Sequence, residues 1–167
     1  MSEISNLSDL YIGELKDLWS ANDQMVRALK KMTPKATNPK LKQMLEASQK
    51  GIADHTNLLK ALIANQDETV SKDHCKGMEG LVNEALKHTI EDAPDKGPLL
   101  DASIIAQYQR MTHYGITGFG TVAAFSKALK LMDDNKQLRA AVKDMYAADE
   151  LMTELAEAAV NADAADE

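Results

Sequence analysis

A single cysteine, Cys75, rules out any disulfide within the chain. Phe, Trp and Tyr together supply 4% of the residues, so the core cannot rest on stacked rings and must come from Leu, Met, Ala and Ile. Four prolines and eight glycines in 167 residues leave long stretches free of helix breakers. No apolar run approaches the ~18 residues of a membrane-spanning helix. The first residues lack the basic, apolar and small-residue pattern of a secretion signal. These absences set a cytoplasmic, reducing location as the expectation, with no membrane partner. Basic charge is also short, 19 Lys and Arg against 26 Asp and Glu, for a net charge of −7. The lysines are scattered and Lys30-Lys31 is too short to form a basic stripe, so nucleic acid is not an expected partner.

What remains is helical. The length suits one domain that can bury its own core, and nine methionines can fill irregular gaps in it. Leu7, Tyr11, Leu18, Ala21, Met25, Leu29 and Met32 recur at steps of three and four, which predicts a helix over Ile4 to Met32 with Ser5 or Ser8 as its cap. Asn38 followed by Pro39 marks the start of a second helix, running to Ala64 with Leu41, Leu45, Ile52, Leu59 and Leu62 inward. After a polar stretch, Cys75 to Glu91 reads as a shorter amphipathic helix, ended by Asp92 to Pro98. A third long helix spans Leu99 to Met132. Asp133-Asp134-Asn135 reads as a tight connection to a fourth, Lys136 to Val160. No strand-like alternation is present.

Two helical hairpins joined by a long crossover form the layout of ferritin-like bundles. Segment 65–97 is too long for a bundle turn of ~2–8 residues, and it can run the length of the bundle with its own helix outside. Helices two and three then run parallel, as do one and four. The expected organisation is one domain over residues 1–160, with 161–167 a frayed acidic tail.

Three stretches carry a resemblance. Asp17 to Met25 matches a D-x-Y-x-A-E-x-Q-L pattern, and Cys75 to Leu81 a C-x-A-M-E-G-L pattern. His113-Tyr114-Gly115-Ile116 with Gly120-Thr121 matches E-H-Y-E-I-x-x-Y-G-T, and Asp149-Glu150 and Thr153 to Ala156 extend the agreement into the last helix. In order and spacing the chain resembles the YciF/YciE-type family of ferritin-like bacterial stress proteins. The resemblance implies an all-α, ferritin-like four-helix bundle with a crossover helix, and a homodimer. Bundles of this kind carry inward Glu and Glu-x-x-His ligands for two metals. At the corresponding positions this chain has Asn22, Lys50, Ala53, Thr112, Gly115 and Met145, and only Asp144 keeps a carboxylate.

The expected function is therefore non-catalytic: a stress-associated bundle with a degenerate metal centre, no cofactor, and an unidentified protein partner. Ile52, Thr112 and Met145 are expected to pack as an ordinary interior at the old metal layer, with Asn22 and Thr112 bonded to each other. The alternative is an iron or manganese protein with displaced ligands drawn from Glu14, Asp17, Asp54, His55, His113, Asp144 and Asp149. Glu14 lies eight residues before Asn22, about 12 Å along the axis, so these groups look staggered rather than convergent. A third class is a redox sensor through Cys75, which requires an exposed sulfur with a lowered pKa. Gly115, Gly118 and Gly120, each costing up to ~1 kcal/mol in a helix, point to close backbone approach, to helix two or across a dimer, with a local kink or bulge as the alternative.

Overall fold

Asn6, rather than Ser5 or Ser8, starts the first helix, its side chain accepting from the Asp9 amide at 2.9 Å. An amide oxygen satisfies one of the orphan N–H groups of the first turn. The computed structural model describes residues 4–70 and 74–166. Residues 1–3 and 167 at the expected domain ends, and 71–73 of the crossover, lie outside the described residues.

Helix α1 spans Leu7–Met32 and α2 spans Pro39–Ala64, linked by a single 3₁₀ turn at Thr33–Lys35. Asn38 caps α2, accepting from Lys40 and Leu41 at 2.9 and 3.1 Å. Helix α3, Lys76–Leu86, lies on the crossover and runs into a π-helical turn at Lys87–Glu91. Helix α4 spans Pro98–Ala128, and α5 spans Met132–Leu155. Among the described residues every regular element is helical, and no helix is long and apolar enough to cross a membrane.

Two boundaries differ from expectation. Helix α4 stops at Ala128 rather than Met132, and the turn is made by Leu129 to Leu131, with Lys130 at φ 61°. Asp133-Asp134-Asn135 is not the connection but the first turn of α5. Carboxylates favour that position because the helix N-terminus carries partial positive charge. Asp134 and Asn135 are also buried there by tertiary partners: Tyr11 donates to Asp134 at 2.9 Å, and Asn135 donates to the Ala123 carbonyl at 2.6 Å. At its other end α5 reaches Leu155. It passes through a π turn at Ala156–Val160 and continues as helix over Asn161–Ala165. Val160 is 1% exposed, and burying it anchors that last segment.

The hairpins α1/α2 and α4/α5 pack side by side, α1 against α4 and α2 against α5, with α3 outside against α1 and α4. Chain direction follows from two buried polar ties. Asp101, at the start of α4, accepts from the Thr37 amide, the Thr37 hydroxyl and the Asn38 amide at 2.8, 2.6 and 2.8 Å, at the start of α2. These two helices therefore begin at the same end and run parallel. Tyr11 and Asp134 set the same relation between α1 and α5. This is the ferritin-like arrangement, with its crossover helix.

The core forms two apolar clusters rather than one. Met25, Leu29, Leu41, Leu45, Ile104, Met111 and Met152 fill one end. Tyr11, Leu15, Leu59, Leu62, Phe119 and Leu138 fill the other. Gly115 and Gly118 of α4 act by close packing, but against side chains of α5 and α1 rather than against α2. A Cβ at Gly118 would collide with Leu18, and one at Gly115 would sit 3.2 Å from the Met145 sulfur. Gly120 meets nothing within 4 Å, so close approach does not explain it.

Candidate functional site

Between the two clusters, at the level of Asn22 and Thr112, the interior opens into a cavity of about 630 Å³. This overturns the expectation that Ile52, Thr112 and Met145 pack as an ordinary interior. The cause is the size of the residues that meet there. Ala47 and Gly51 of α2, Ala140, Ala141 and Ala148 of α5 and Gly115 of α4 all line the cavity. None of these can reach across the space that long side chains would fill in a bundle core. Helices α1 and α4 supply the buried floor through Asn22, Met25, Met111 and Thr112. Asp54, Asp144 and Leu151, all exposed, mark the mouth along the seam between α2 and α5.

Asn22 and Gln137 place amides in the wall, and three further polar features lie there. Ser48 and the Tyr108 hydroxyl satisfy each other at 2.9 Å. His55 stands 3.6 Å from Asp144 and 5.7 Å from the Phe119 ring centre. Burial pushes its pKa down, against the opposing pull of Asp144 and Asp54. Thr112 is 4% exposed and its hydroxyl has no hydrogen-bond partner, so the expected bond to Asn22 is not formed.

The old metal layer is only partly where the sequence placed it. Asn22, Thr112, Gly115 and Met145 do line the cavity. Lys50 and Ala53 do not: both are exposed, and Lys50 pairs with Asp54 at 2.7 Å on the outer surface. The α2 positions that turn inward are Ser48, Ile52 and His55, set two residues away from those two. A residue offset of two rotates a helical side chain by about 200°, which is enough to exchange core for solvent.

A metal pair does not fit this donor set. The layer offers an amide, a hydroxyl, a glycine and a thioether, whereas iron and manganese sites of this fold use carboxylates and imidazoles. His55 and Asp144 amount to one imidazole and one carboxylate, which falls short of a ligand shell. The remaining candidates are dispersed. Asp149 bonds His113 at 2.9 Å on the surface and also accepts from Gln109 at 3.1 Å. Among the described residues, no group of three or more His, Cys, Asp or Glu side chains could hold a metal ion.

Glu14, Asp17 and His113 gather around a second pocket of about 460 Å³ between α1 and α4, beside α3. Here a hydrogen-bonded trio escaped sequence reasoning. The Asp17 carboxylate accepts from Tyr114 at 3.0 Å and from the Cys75 thiol at 3.1 Å, and the thiol and phenol are 3.0 Å apart. Gly77 makes this possible, since a Cβ there would press on the Tyr114 ring at 2.8 Å. Burial pushes the Tyr114 phenol upward, and Cys75 and Asp17 add to it. Burial likewise raises the Cys75 thiol, and so does Asp17, while Tyr114 and the Met78 amide act the other way. Burial and the neighbouring Asp17 raise Glu14. Cys75 is 1% exposed and caps α3, so it lacks the exposed, low-pKa sulfur that a redox sensor needs. The trio ties the crossover to α1 and α4. The motif signal was present, since Asp17, Cys75 and Tyr114 each fall in a family-like stretch, but nothing in those stretches says that they touch.

The fold defines a class: a ferritin-like helical bundle. The chain belongs to the family described as Domain of unknown function (DUF892), whose model matches residues 6–165. It is 28% identical over 154 residues to Protein YciF of Escherichia coli strain K12, an alignment covering 92% of each chain. The crystal structure of the E. coli stress protein YciF superposes with a TM-score of 0.87, covering 95% of this chain and 99% of that one. The structure of YcfI from Rhodopseudomonas palustris, also 28% identical, gives a TM-score of 0.84 with coverages of 91% and 96%.

Proposed function

We propose that this protein is a non-catalytic, stress-associated helical module in which the di-metal layer of the fold has been replaced by an apolar cavity. The observation that carries this reading is the Thr112 hydroxyl, buried without a partner in a layer where a metal-binding bundle would hold carboxylates. An orphaned hydroxyl beside Asn22, Gly115 and Met145 offers no anionic oxygen to a cation. The likeness to a protein called a stress protein supports the physiological setting. The net charge of −7 and the family resemblance favour a cytoplasmic homodimer that does not engage nucleic acid.

Thermal unfolding with and without Fe²⁺ and Mn²⁺ tests it. A ligand that binds only the native state at 100 times its Kd adds about 2.7 kcal/mol. In a protein of this size that raises Tm by roughly 5–10 °C. The expected result is no rise with either metal. A rise of that size, abolished by His55→Ala or Asp144→Ala, would establish the iron or manganese alternative instead.

A further inference from the structure

We propose that the cavity between α2 and α5 is a binding site for a neutral, largely apolar small molecule bearing one carbonyl or hydroxyl group, its polar end at Thr112 and its apolar body along the Met-rich wall. This rests on the reading that the layer does not hold metals, and it goes further by assigning that layer a ligand. Three observations carry it.

Size comes first. The volume of about 630 Å³ falls within the roughly 300–1,000 Å³ of small-molecule pockets. It is far above the one-water voids found in packed interiors.

Chemistry of the wall comes second. Met25, Met44, Met111, Met145 and Met152 line the space with Ile52 and Leu58. Thioether side chains adapt to irregular apolar shapes, and a mostly apolar pocket with few polar groups is the usual design for small ligands.

The polar end comes third. Thr112 is 4% exposed, lines the cavity and has no partner. Threonine in a helix has two accessible χ1 rotamers, and exchanging them swaps methyl and hydroxyl at the cavity wall. Asn22 places an amide in the same wall, whereas Ser48 and Tyr108 are occupied with each other. A single neutral acceptor is what this end can take.

Charge selects against an anion. Among the described residues no Lys or Arg lines the cavity, while Asp54 and Asp144 stand at its mouth. A carboxylate or phosphate head would pass the Asp144 carboxylate, Asp54 being paired with Lys50, and find no Lys or Arg inside.

The test is fluorescence titration of the full chain with the neutral probe N-phenyl-1-naphthylamine, followed by displacement with 2-undecanone, undecane and undecanoate. One saturable site is expected, from which the ketone displaces the probe well below the concentration needed for the carboxylate. Thr112→Val should weaken the ketone about tenfold, the ratio that one hydrogen bond of about 1.4 kcal/mol converts to, and leave undecane unchanged. Gly51→Leu should abolish binding without loss of Tm, because a Cβ there meets no atom within 4 Å, the rest of the side chain extends from a residue that lines the cavity, and the change replaces a helical glycine. Failure of the wild type to bind the probe overturns the inference, as does binding that survives Gly51→Leu, or undecanoate competing as well as the ketone. So does a dimer that excludes the probe and dissociates on Gly51→Leu, since a second copy would then fill the groove. Parallel titration with Fe²⁺ and Mn²⁺ separates the two readings. Metal that raises Tm and blocks the probe removes the non-metal reading, whereas no response to metal or probe removes this inference alone.

Discussion

Replacing Thr112 by Val should make this protein more stable, although it deletes a polar group from a bundle interior. The Thr112 hydroxyl is buried and unpaired. With the hydroxyl turned away from the cavity as it is here, its burial without a bond costs up to about 1–3 kcal/mol on protein mutational scales. Valine has nearly the same shape and a similar helix propensity, so neither a new void nor a backbone penalty offsets the gain. For a chain of this length each kcal/mol moves Tm by about 2–4 °C, which gives an expected rise of roughly 2–12 °C. Urea unfolding followed by circular dichroism checks it, with a higher midpoint and an unchanged slope as the signature of a pure stability change. Thr112→Ser is the control, because it keeps the hydroxyl, loses the methyl contact and should fall below wild type. A drop of 1 kcal/mol or more for Thr112→Val would show that the hydroxyl has a partner that matters, and the reasoning about the layer would fail with it.

Asp101→Ala removes an acceptor of three hydrogen bonds that join the α1–α2 turn to α4. The expected loss is about 3 kcal/mol or more by urea unfolding, and Asp101→Asn should recover part of it. Gly118→Ala forces a methyl into Leu18 and should cost about 1–3 kcal/mol, whereas Gly51→Ala, with open space around it, should gain up to ~1 kcal/mol in the same assay. Burial lowers the His55 pKa below its ordinary 6.5. The unfolded chain therefore takes up the His55 proton first as pH falls. Stability is intact above about pH 6.5 and declines below it, through the folded pKa. Comparing Tm against pH for wild type and His55→Gln isolates this contribution, and equal slopes between pH 7 and 5 would refute it.

The helical layout was legible because apolar residues recur at three- and four-residue steps over long stretches with few Gly or Pro. The crossover was legible because its length excludes a turn. Asp133-Asp134-Asn135 misled because Asp and Asn favour both turns and first helical turns. Only Tyr11 and Ala123, more than ten residues away in sequence, decide between the two. The loss of carboxylates at Asn22, Thr112 and Met145 could be read from residue identities alone. The cavity could not: Ile52 was legible as inward, but the resemblance placed Lys50 and Ala53 at the same layer, off the face that α2 turns in. A two-residue change in register exchanges Lys50 and Ala53 for Ile52 and His55. The cavity also depends on Ala47, Gly51 and Ala148, which line it from two helices that are far apart in sequence. The Asp17–Tyr114–Cys75 trio needed three elements and a missing Cβ at Gly77, none of which periodicity reports.

The central claim is that the inner layer of this ferritin-like bundle no longer holds metal. Metal analysis by inductively coupled plasma mass spectrometry tests it most directly, on protein expressed with added iron and manganese and purified without chelator. The account expects far less than one iron or manganese per chain. A ratio near two per chain, lost on His55→Ala or Asp144→Ala, would contradict it.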